Sequence, residues 1–83
     1  MTYHVEGING AQLKLGDVLR GEDGKYWKFV EQVEIGPADY RLCIMRNLKT
    51  GEVAEIEVRE DDEYDRVEPC EIGTLTAEEI GII

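Results

Sequence analysis

Turn-forming residues interrupt this chain so often that little but short strands fits between them. Asn9-Gly10, Gly21-Glu22-Asp23-Gly24, Gly36-Pro37-Ala38-Asp39, Asn47-Leu48-Lys49-Thr50-Gly51 and the acidic run over residues 60–63 follow one another at short intervals. The segments between them are rich in β-branched and aromatic residues. Evenly spaced short strands of this kind predict a small all-β sandwich or barrel.

Residues 12–20 read as a first strand, with Leu13 and Leu15 on one face and Lys14 on the other. Gly16-Asp17 interrupts it, which predicts a bulge or bend. Residues 25–35 form the longest strand, in which Trp27, Phe29, Val33 and Ile35 share one parity and Lys28, Gln32 and Glu34 the other. Glu31 falls on the apolar parity, so a bulge, bend or register change is expected near Val30. A turn at Gly36-Pro37-Ala38-Asp39 leads into residues 40–48. Their centre, Leu42-Cys43-Ile44-Met45, is apolar at both parities, as in a central strand covered on both sides.

Lys49-Thr50-Gly51 makes a tight hairpin into residues 52–59, where Ala54, Ile56 and Val58 alternate with Glu55, Glu57 and Arg59. Residues 64–68 read as a short last strand ended by Pro69. Thr76-Ala77-Glu78-Glu79 fits a capping box opening one helical turn, with Gly81 at its end and an apolar Ile82-Ile83 tail, which is expected to pack within the chain rather than against a second copy.

A chain of 83 residues makes one domain with a small core. Its expected parts are a partly ordered N-terminal segment over residues 1–11, a barrel over residues 12–69 and a C-terminal tail with a short helical turn over residues 70–83. No basic, apolar leader pattern and no run of about 18 apolar residues is present. Cys43 and Cys70 match no metal or redox spacing, so reduced thiols in the cytoplasm are expected, with a bond between the two left open.

The order of elements resembles the SH3-like barrel in its Tudor and KOW-type variants. Lys14-Leu15-Gly16-Asp17-Val18, Asp23-Gly24-Lys25-Tyr26-Trp27 and Asn47-Leu48-Lys49-Thr50-Gly51-Glu52 carry that likeness. It implies a five-stranded barrel over residues 12–69 and no particular function, since such barrels serve many unrelated roles.

Charge narrows the partners. Residues 1–51 hold seven Lys/Arg and seven Asp/Glu, whereas residues 52–83 hold twelve acids against Arg59 and Arg66, which accounts for the whole net charge of −10. Such a field repels nucleic acid and anionic membrane and attracts basic surfaces. The expected contact face is Glu55, Glu57, Glu60, Asp61, Asp62, Glu63 and Asp65, with Tyr64 as an aromatic anchor. Two acids on one strand face stand about 6.6–7 Å apart, near the phosphate spacing of a DNA strand, so the face can stand in for nucleic acid in a partner's groove. In size and charge the chain resembles small acidic inhibitors of phage origin, the anti-restriction and anti-CRISPR proteins. The plainer reading is an acidic surface that only confers solubility.

Other chemistries fit less well. Asp61, Glu63 and Asp65 start like a calcium loop, but Arg66 stands where the loop needs Gly and Ile72 where it needs Glu, so no metal or other cofactor is expected. Lys25, Lys28, Arg41 and Arg46 make a small basic patch, too weak against −10 for direct nucleic-acid binding. His4, the single histidine, falls in the N-terminal segment, and no nucleophile has a basic partner, so an enzyme is not expected. The runner-up is a Tudor-like reader of a basic or methylated peptide using Tyr26, Tyr40 and Tyr64, since aromatic faces attract weakly hydrated cations. A third class is a structural subunit of a larger assembly.

Overall fold

A computed structural model describes residues 1–35 and 40–82; the expected turn at Gly36-Pro37-Ala38-Asp39 and the last residue of the tail, Ile83, lie outside the described residues. Seven strands are seen among the described residues: β1 (Thr2–Asn9), β2 (Val18–Arg20), β3 (Tyr26–Ile35), β4 (Tyr40–Asn47), β5 (Val53–Arg59), β6 (Glu63–Cys70) and β7 (Leu75–Thr76). A 3-10 turn (Gly10–Gln12) follows β1, and a four-residue helix, α1 (Ala77–Ile80), follows β7. All strands join one antiparallel sheet in the order β5-β4-β3-β2-β6-β1-β7.

The protein is therefore mostly β with one short C-terminal helix, but the sheet has seven strands rather than five. Its two ends do not pair, so it stays open. The additional strands come from the ends of the chain. Thr2–Asn9, expected as a partly ordered segment, pairs along its whole length with β6, from Thr2 opposite Cys70 to Asn9 opposite Glu63. Leu75 and Thr76 then pair with Tyr3 and Thr2 on its other side.

The first expected strand, residues 12–20, is instead a bend and a short strand. Asp17 accepts the Lys14 N–H at 2.8 Å through its carboxylate, and its own N–H donates to the Lys14 carbonyl at 3.0 Å. Gly16, at φ 92°, supplies the left-handed residue that this bend requires. As a result Leu13 is buried and Leu15, expected on the same face, is 64% exposed. The bend anticipated at Gly16-Asp17 is present, and so is the irregularity near Val30. The β3–β4 register shifts between Phe29 and Glu31, which returns Glu31 to solvent, and again between Gln32 and Glu34.

Pro69 does not end β6, which runs on to Cys70. Strand β2 pairs only with residues 65–67, so Pro69 has β1 on one side and an open edge on the other, where a missing N–H costs little.

Ile8, Leu13, Leu19, Phe29, Cys43, Met45 and Val58 form one buried cluster. Val58 on β5 and Ile8 on β1 are five strand positions apart in the sheet order. A flat sheet would separate them by roughly 24 Å at ~4.8 Å per strand. Their membership of one buried cluster requires the sheet to coil strongly, which is compatible with a barrel-like wrap. Leu13 plugs one end, delivered by the 3-10 turn, whose capping box pairs the Asn9 side chain with the Gln12 N–H and the Gln12 side chain with the Asn9 N–H. Arg41 reaches inward to donate to the carbonyls of Gly10 and Leu13, fixing the plug from beneath.

Candidate functional site

The hairpin from β4 to β5 sets the geometry of the acidic face. Asn47, buried, accepts the N–H groups of Lys49 and Thr50 with its side chain at 2.9 and 3.1 Å, and Gly51 takes φ 77°. The Asn47 N–H donates to the Glu52 carbonyl at 2.7 Å, while the Gly51 N–H donates to the Asn47 carbonyl at 2.9 Å. This bulged turn fixes the register in which Ala54, Ile56 and Val58 lie opposite Met45, Cys43 and Arg41 and face the core. Glu55 and Glu57 are consequently exposed on the outer face, as the alternation predicted.

The remaining acids follow directly. Glu60, Asp61 and Asp62 form the exposed turn into β6, pinned by the Asp62 N–H donating to the Arg59 carbonyl and by the Gly10 N–H donating to that of Asp62. Glu63 and Asp65 are exposed on β6. Among the described residues, only Asp65 of this set has a cationic partner, Arg20 at 3.4 Å. Seven carboxylates thus share one ion pair between two mostly exposed side chains, which does little to neutralise them.

Tyr64 is placed differently from the others. It is half-buried and packs against the core cluster. Burial raises its phenol above the usual value; a backbone hydrogen bond from Arg59 opposes the rise and the Asp62 charge adds to it. Tyr26 and Tyr40 are half-buried at opposite ends of the β3–β4 hairpin. Tyr26 lies opposite Arg20 and Tyr40 opposite Arg59. The three tyrosines are not brought together, so they do not form a common cage.

A feature that the sequence did not announce lies where the sheet stays open. A groove of about 850 Å³ runs between β5 and the start of β6. Trp27, Met45, Ile56 and Tyr64 give it an apolar and aromatic lining, and Glu22, Asp23, Glu63 and Asp65 stand along it with Arg20. Trp27, on the apolar parity of its strand, is half-buried there and packs against the core cluster. The signal in the sequence was the proximity of Glu22-Asp23 to Trp27, which reads as an ordinary turn until the open seam is seen.

The basic patch disperses. Arg41 is turned inward, its guanidinium carbon 6.0 Å from the centre of the Phe29 ring. Lys25 lies 4.0 Å from Asp23, and Lys28 and Arg46 remain exposed as cross-strand neighbours. The single histidine, His4, sits in β1 opposite Glu68, and with Glu6 these residues bring three metal-ligating atoms within 4.8 Å of one another. Arg66 already supplies the cation there, 2.6 Å from Glu68, 3.5 Å from Glu6 and 3.7 Å from Asp17. The cluster thus holds its carboxylates around a guanidinium.

Both cysteines are free thiols, Cys43 buried and Cys70 half-buried. Burial pushes the Cys43 thiol up, with Arg41 partly opposing, which keeps it in the unreactive protonated form. Among the described residues no helix is long and apolar enough to cross a membrane. No protein-family model, no curated protein and no solved structure matches the chain.

Proposed function

We propose that this chain is a non-enzymatic protein-interaction domain of the SH3-like barrel class. It binds a basic surface of its partner through Glu55, Glu57, Glu60, Asp61, Asp62, Glu63 and Asp65. The observation that carries this reading is the set of seven exposed carboxylates on β5, the following turn and β6, with one ion pair among them. A solubilising surface has no need to concentrate its charge, whereas a docking face gains in encounter rate and register by doing so. In the sharper form of this reading the partner is a nucleic-acid-binding protein and the acids occupy its phosphate sites, as in an anti-restriction or anti-CRISPR inhibitor.

A pull-down from native lysate with the wild type and with the Glu55→Gln/Glu57→Gln/Asp61→Asn/Asp62→Asn variant tests it. Retention of a basic protein by the wild type, its release by salt or competing duplex DNA, and its loss in the variant support the reading. Equal retention by both proteins removes the acidic face from the mechanism.

A second reading is favoured by the groove. Trp27 and Tyr64 line it beside Glu22, Asp23, Glu63 and Asp65, an arrangement suited to a methylated or unmodified basic side chain. Binding that survives moderate salt and is lost in Trp27→Ala separates this reading from charge-driven docking.

A further inference from the structure

We infer that the partner docks as an added β-strand along the free edge of β5, and that the docking segment alternates Lys or Arg with apolar residues. This inference rests on the acidic-face reading and specifies its partner.

Strand β5 is a sheet edge, with β4 as its one neighbour. The Asn47–Glu52 bond fixes which backbone groups that edge presents. In an antiparallel ladder bonded and non-bonded pairs alternate, so Met45–Ala54, Cys43–Ile56 and Arg41–Val58 are the bonded pairs. The N–H and C=O groups of Val53, Glu55 and Glu57 therefore turn away from β4. Among the described residues no hydrogen bond to them is formed from elsewhere. At the far end Arg59 is covered by Tyr64 and by Gly10, where an added Cβ would fall 1.9 Å from the Arg59 oxygen. The accessible edge is short, from Val53 to Glu57.

The two faces of an added strand would meet different surroundings. Its inner side chains would enter the groove and lie over Ile56, Trp27 and Tyr64. Its outer side chains would stand beside Glu55 and Glu57, where opposite charge is favourable and like charge unfavourable. A second copy of β5 is disfavoured on the same ground, because it would set glutamate against glutamate, the device by which edge strands avoid self-association. Period-two alternation of cation and apolar residue is the pattern that satisfies both faces at once.

The test uses two seven-residue peptides of identical composition, one alternating Lys and Val, the other with Lys and Val in blocks. The single tryptophan, Trp27, reports binding by fluorescence, and amide exchange reports the edge. The alternating peptide is expected to bind at least about tenfold tighter and to slow exchange at the Glu55 and Glu57 amides. Glu55→Pro removes an N–H that makes no bond to β4, so the fold is kept, as the β4 amides will show, while affinity for the alternating peptide falls by about tenfold. Glu55→Gln, which keeps that N–H, costs less, about two- to fivefold. Equal binding of the two peptides with unprotected Glu55 and Glu57 amides overturns strand addition and leaves the acidic face standing. Absence of binding by either peptide overturns both.

Discussion

Arg41 connects three parts of the molecule through one guanidinium: the carbonyls of Gly10 and Leu13 and the side chain of Gln32. Arg41→Ala leaves the Leu13 carbonyl without a donor and the Gly10 carbonyl with the Leu13 N–H alone, at about 1–3 kcal/mol, and Arg41→Lys recovers only part of this because its ammonium lacks the planar fork. Urea midpoints of the three proteins check the order. Titration gives a second prediction. Burial raises the Cys43 thiol and the Tyr64 phenol above their ordinary values of 9.0 and 10.0, so the folded state holds these protons longer than the unfolded chain does. Stability from this source is complete below the unfolded values and is lost as pH rises beyond them. Thermal unfolding should therefore be insensitive to these groups at neutral pH and decline from about pH 9 upward. Cys43→Val should flatten the first part of that decline. In the sequence Arg41 looked like one member of a surface patch, because a cation carries no local mark of the carbonyls that a distant turn will bring to it.

At the scale of elements, legibility followed locality. Strands β3 and β5, with the hairpin that leads from β4, showed in the alternation of Trp27 and Phe29 and of Ala54, Ile56 and Val58, and in Asn47 and Gly51. Strand β1 did not show, because Ile8 shares its parity with His4 and Glu6. One face of that strand crosses from the Arg66 cluster into the core, so no clean alternation survives. The helical turn was legible from its cap: the Thr76 hydroxyl accepts the Glu79 N–H at 3.1 Å, and Gly81 ends the helix at φ 98°. It anchors the tail through Ile80, which is fully buried. Ile80→Ala should cost about 2–5 kcal/mol and Thr76→Ala about 0.5–2 kcal/mol, both read as a fall in melting temperature with the sheet otherwise intact.

At the scale of the molecule, the net charge was the plainest feature of the sequence and the open seam the least. Closure depends on how far seven strands coil, and no residue pattern records that. Self-repulsion at −10 should make salt stabilising, with the melting temperature rising between about 10 and 150 mM NaCl as the screening length falls from roughly 30 to 8 Å. The charge-neutral variant of the β5 face should show a smaller rise.

The pairing of β1 with β6 also governs when the molecule can come into being. Thr2 waits for Cys70, 68 residues further along the chain, before its strand has a neighbour. Contacts so distant along the chain delay the transition state, so refolding should be slow for so small a protein. A nascent chain truncated after residue 51 would lack β5, β6 and β7, leaving β1 and β2 without the strand that joins them. The neutral two-thirds is thus an unfinished sheet, and the acidic third is the piece that completes it.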